Sequence, residues 1–126
     1  AAGADYVYMG TSFIAAAESL ASQDYKDMLA AAQIEDLLIS AGITGTPASW
    51  LKPSLRANGF DPDAMPDAPD RAYDSSQSLK GKRWADVWSA GQGVGAVTGT
   101  EPAATIVDRL AGEYAAAMNR FQKGTA

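Results

Sequence analysis

Two short glycine-bearing segments hold the residue types best suited to chemistry. The first is Gly10-Thr11, which follows the apolar run Tyr6-Val7-Tyr8-Met9. A glycine there lets a ligand approach the backbone closely. Thr11 adds an N–H and a hydroxyl, the donors a phosphate needs. At the end of a late strand in a β/α-barrel this arrangement cradles a phosphate. Gly-Thr after a strand also serves simply to turn the chain. The second segment is Gly91-x-Gly93-x-Gly95, with Gln92 projecting from it. A dinucleotide-binding glycine loop follows a strand and opens directly into a helix. Here Val97-Thr98-Gly99-Thr100 intervenes, so that reading is rejected. Two readings remain for this loop. It is an ordinary turn with Gln92 in water, or it is a tight loop whose backbone approaches a ligand.

Other chemistry is excluded by composition. The chain has no cysteine and no histidine, so it offers no thiolate nucleophile, disulfide, imidazole base or zinc–thiolate site. Its net charge is -5, with 15 acidic and 10 basic residues. Lys80, Lys82 and Arg83 form a small basic knot rather than a phosphate track, which argues against nucleic-acid binding. No apolar run is long enough to span a membrane. The aspartates of residues 61–79 alternate with Pro62, Pro66 and Pro69 and fit no calcium-loop spacing. They read as a solvated loop.

Positioning these segments falls to a modest set of elements. The chain has 126 residues, enough for one domain but well short of the roughly 250 of a β/α-barrel. Residues 6–9 read as a strand. Residues 12–18 read as a loop or short helical turn. Ser22 is a candidate N-cap for a helix over 23–32, whose Tyr25, Met28, Leu29 and Ala32 share a face. Leu37-Leu38-Ile39 reads as a buried strand or a helix end, and its length favours the strand. Thr46-Pro47 opens a helix toward Asn58, delayed to Pro53 if that proline begins it, and Asn58-Gly59 stops it. Trp84 and Trp88 either wall an apolar pocket or anchor the glycine loop to the core. The last helix, about 101–122, carries the apolar stripe Ala103, Ile106, Val107, Leu110, Tyr114, Ala117, Met118 and Phe121, expected to pack in a core. No internal repeat is present.

Taken together and in order, these pieces resemble the nitronate monooxygenase (2-nitropropane dioxygenase) family. The resemblance rests on Gly3-Ala4-Asp5-x-Val7-x-Met9-Gly10-Thr11-x-Phe13 and on Trp88-Ser89-Ala90-Gly91-Gln92-Gly93-x-Gly95 before a Pro-opened helix. Tyr25-Lys26-x-x-Leu29 and Thr44-Gly45-x-Pro47-Ala48 lie between them in the expected order. It implies an α/β fold, the C-terminal fragment of a (β/α)8 TIM-type barrel with a mainly helical accessory region. Residues 1–22 would be the last barrel strand and the FMN-phosphate turn. Residues 23–100 would be a helical lid containing the acidic loop 61–79, and 101–126 the closing helix.

The resemblance implies FMN as cofactor, bound by Tyr8, Met9, Gly10 and Thr11, with Gly10 and Thr11 at its phosphate. Ser89, Ala90, Gly91 and Gln92 would border the flavin and the substrate. Members of the family are flavoproteins that oxidise alkyl nitronates with dioxygen, and the absence of cysteine agrees with a cytoplasmic location for this one. Relatives reduce quinones with NAD(P)H, or reduce enoyl thioesters. The family's histidine and its Gly-Gly-Ile strand are absent here and are expected upstream of Ala1, so no catalytic residue is assigned. On this reading the fragment alone is inactive, and the missing barrel portion covers Tyr6 to Met9 and the last helix. A non-catalytic helical interaction module is the rival from another class.

Overall fold

The computed structural model describes residues 5–67 and 86–124. Within them helices pack around a small antiparallel sheet, a mixed α/β arrangement. No barrel is formed by these residues. The basic knot, Trp84 and residues 68–79 of the acidic loop lie outside the described residues.

Residues 6–9 do not form a strand. Tyr6, Val7 and Tyr8 are almost fully exposed, and none pairs with another described strand. A strand exists only by exchanging backbone hydrogen bonds with a neighbour, and β propensity alone does not supply one. Gly10 then caps the short helix α1, Thr11–Ile14.

The second helix, α2, spans Gln23–Ala31. Its start follows from local chemistry: the Ser22 hydroxyl accepts the Tyr25 N–H, and Asp24 lies in the first turn. Leu29 and Ala32 are buried, as the apolar face requires. A 3-10 turn, Ile34–Asp36, leads into β1, Leu37–Ser40.

β1 pairs antiparallel with β2, Ala48–Leu51, in the register Leu37 to Leu51 and Ser40 to Ala48. The expected helix start at Pro47 is therefore wrong. Residues 48–51 join the neighbouring strand, and the helix α3, Lys52–Ala57, begins with Pro53 in its first turn. The Trp50 indole N–H donates to the Ser40 carbonyl at 3.0 Å and closes the hairpin. Asn58 and Gly59 end α3, with Gly59 at φ 79°, a left-handed conformation that glycine adopts without strain.

β2 is buried on both faces and so divides the interior in two. Strand alternation sends Leu51 into one cluster with Leu29, Ala32, Val94 and Val97. Trp50 enters the other, with Ile43, Leu55 and Val87. Met65 packs on the second cluster, and the Asp61 carboxylate accepts the Asp63 N–H at 3.0 Å. The start of the acidic loop is thus a packed turn. It closes over Gly42, where a Cβ would lie 2.4 Å from the Pro66 carbonyl oxygen.

After the loop, residues 88–90 run beside β2: Leu51 donates to the Trp88 carbonyl and Ala90 to the Ser49 carbonyl. A second 3-10 turn, Gln92–Ala96, follows, then α4, Ala103–Gly124. Ile106 is buried in α4, whereas Val107, Tyr114 and Phe121 are more than half exposed. The predicted stripe is a core face only at its beginning among the described residues. No described helix is long and apolar enough to cross a membrane.

The start of α4 is capped from a distance. A Glu18 carboxylate oxygen accepts the Ala103 N–H at 2.9 Å, and this bond holds the Glu18 carboxyl below its ordinary value of 4.5. The unfolded chain binds the proton more readily, so the contribution is complete above pH 4.5 and is lost as the pH falls through the lowered folded value. Glu18→Gln retains an oxygen acceptor but does not titrate. Its unfolding free energy, followed by denaturant titration between neutral and acid pH, is expected to fall less steeply than that of the parent. Parallel curves for the two proteins would refute the cap.

Candidate functional site

Folding brings the two glycine-bearing segments together. The Gly91 N–H donates to the Thr11 hydroxyl oxygen at 2.8 Å, across 80 residues of sequence. A Cβ on Gly91 would stand 3.3 Å from that oxygen, so the approach is close enough to favour glycine. The start of α1 and the start of the Gln92–Ala96 turn are therefore neighbours. Val94 and Val97 hold the turn to the cluster that also contains Ala15, directly after α1.

Each side of this junction is fixed by different means. On the Gly91 side, residues 88–90 are pinned to β2 by backbone bonds. The Trp88 N–H donates to the buried Ser54 hydroxyl at 2.8 Å. The Trp88 ring stacks on Tyr25, centroids 4.9 Å apart and planes 11° apart, and the Tyr25 hydroxyl donates to the Ser89 carbonyl. Burial raises the Tyr25 pKa, which keeps this donor protonated, although its contact with Ser89 opposes the shift. Trp88 therefore anchors the loop.

On the Thr11 side, the turn after α1 is tied to the buried Lys26 ammonium. It donates to the carbonyls of Ala16 at 2.8 Å, Ser19 at 3.0 Å and Ala17 at 3.4 Å. The Ala17 N–H in turn donates to the Glu101 carbonyl at 2.9 Å. Lys26 and Glu18 have structural roles that sequence reasoning missed. A lysine at the edge of an apolar helix face, opposite a stretch with no glycine or asparagine to end a helical turn, was the available signal.

The predicted residues are distributed unevenly. Thr11 and Gly91 touch. Ser89 contributes its carbonyl to Tyr25, Ala90 is buried in the core, and Gln92 is exposed at the head of its turn. Tyr8 and Met9 precede the junction; Tyr8 projects fully into solvent and Met9 is 38% exposed.

The donor chemistry of the junction suits an anion. None of Tyr8, Met9, Gly10 and Thr11 carries a carboxylate. Among the described residues the N–H groups of Gly10 and Thr11 meet no protein acceptor, and the Thr11 hydroxyl, having accepted from Gly91, keeps its own proton to donate. A Cβ on Gly10 would have nothing within 4 Å. These are features a phosphate monoester fits.

Comparison with known proteins gives one relative of direct interest. The chain is 34% identical over 95 residues, 69% of its length, to a probable nitronate monooxygenase of Staphylococcus saprophyticus. The match spans 26% of that protein, so the chain corresponds to about a quarter of its curated relative. No protein-family model matches the chain, and no solved structure matches it.

Proposed function

From a chain that is a distant member of the nitronate monooxygenase family, we propose the C-terminal part of an FMN-dependent oxidoreductase that oxidises alkyl nitronates with dioxygen. The observation that carries the reading is the Thr11–Gly91 hydrogen bond. It joins the segment suited to a phosphate to the segment suited to border a flavin. The (β/α)8 barrel belongs to the same proposal. Residues 6–9 would become its last strand on pairing with upstream strands, which would also cover their exposed side chains.

The bound flavin would supply the electron transfer between substrate and dioxygen. The chain's own residues would bind and orient it. The N–H groups of Gly10 and Thr11 and the Thr11 hydroxyl would hold the phosphate oxygens without a buried counter-charge. Tyr8 and Met9 would flank the same cofactor. Gly91 would keep Ser89 to Gln92 alongside, with Gln92 offering both a donor and an acceptor toward the substrate space. The base that moves the substrate proton would come from residues upstream.

The test is anaerobic reduction of the intact gene product. A yellow protein that releases FMN on denaturation, and whose flavin is bleached by an alkyl nitronate without NAD(P)H, is the expected result. Bleaching by NAD(P)H instead would make the protein a quinone or enoyl-thioester reductase. A colourless product that binds no added FMN would overturn the flavoenzyme reading in favour of an interaction module.

A further inference from the structure

One face of α4, largely exposed beyond Ile106, carries a regular apolar repeat. Val107, Leu110, Tyr114, Ala117 and Phe121 follow one another at intervals of three, four, three and four residues. That is the 3.5-residue repeat of a coiled-coil seam. The row runs for about 21 Å along the helix. Val107, Tyr114 and Phe121 are 53%, 68% and 58% exposed. Leu110 and Ala117 are partly buried, and Ile106, one heptad before Glu113, is the buried residue of α4.

Charge identifies the occupant. With Val107, Tyr114 and Phe121 at the first seam position of each heptad, Glu113 and Arg120 fall at successive flanking positions on one side. They lie two turns apart on one helix, too far to pair with each other. Among the described residues neither has an ionic partner. If a second copy of α4 lies antiparallel, with Tyr114 opposite Ala117 and Leu110 opposite Phe121, each Glu113 meets an Arg120. The large Tyr114 then faces the small Ala117 twice, which fills the centre of the seam. A parallel arrangement would instead set each Glu113 against Met118 of the other copy, with no charge to pair.

We propose that the 107–121 face of α4 is a self-association surface, which pairs antiparallel with the same helix of a second copy of this protein. The inference is independent of the flavin reading. Sedimentation equilibrium of the protein should show a reversible dimer. Glu113→Arg and Arg120→Glu, each alone, should weaken it by about tenfold, since each places two like-charge pairs across the seam. The double variant should recover the parental affinity. Circular dichroism checks that the helix survives. The chain has no cysteine, so introduced thiols report the geometry directly. A mixture of Tyr114→Cys and Ala117→Cys proteins should form a disulfide-linked heterodimer, whereas Ala117→Cys alone should not cross-link. A monomer at all concentrations, because another polypeptide or an upstream segment covers the face, would overturn the proposal. So would a double variant that stays weak, or cross-linking of Ala117→Cys with itself.

Discussion

Lys26→Met will lower the unfolding free energy of the chain by about 1.5–3 kcal/mol, the range for hydrogen bonds made by a charged donor. The substitution keeps most of the side chain's length and apolar stem. What it removes is the ammonium that serves the carbonyls of Ala16, Ala17 and Ser19. The bond to Ala16 is buried, so water does not readily replace it. The other two are partly buried and recover some solvation, which limits the total. Lys26→Arg should lie between the two, because a planar guanidinium reaches fewer of three converging carbonyls than a rotatable ammonium does. Denaturant titration of the three proteins checks the order. Equal midpoints for the parent and the Lys26→Met variant would mean that the buried cation contributes nothing.

That position shows why part of the architecture escaped sequence reading. The α2 helix was legible because its signals are local: Ser22 caps it, and Leu29 and Ala32 repeat at helical spacing. The end of α3 at Asn58-Gly59 and the long last helix were legible for the same reason. Lys26 was not, because its partners become neighbours only when the turn after α1 folds back over α2. β2 failed on similar grounds. Thr46-Pro47 satisfies the local rules for a helix start, but Leu37 and Leu38 on β1 claim Leu51 and Trp50 as strand partners. Tyr6 to Met9 differ in the opposite sense, with strand propensity and no strand to pair with among the described residues. Of the candidate site, the composition of each half was readable and the junction was not. Nothing in the spacing of Thr11 and Gly91 foretells that one accepts a hydrogen bond from the other.

Thr11→Val is expected to separate that junction's effect on binding from its effect on folding. Valine matches threonine in shape, so the packing of α1 should persist. In the chain itself the loss is one exposed hydrogen bond from Gly91, worth about 0.5–1.5 kcal/mol. In the intact gene product the loss should be larger, because the same hydroxyl is proposed to donate to a phosphate oxygen. A charge-assisted bond of about 1.5–3 kcal/mol corresponds to a ten- to hundredfold rise in the Kd for FMN. Thr11→Ser keeps the hydroxyl and should bind within a few-fold of the parent. Gly91→Ala should be intermediate, since its Cβ would press on the Thr11 oxygen from 3.3 Å and shift it by a few tenths of an ångström. Titration of the apoproteins with FMN, followed by flavin fluorescence, measures all three. If valine and serine bind FMN equally well, the hydroxyl does not reach the phosphate, and the Thr11–Gly91 bond is a strut of the fold alone.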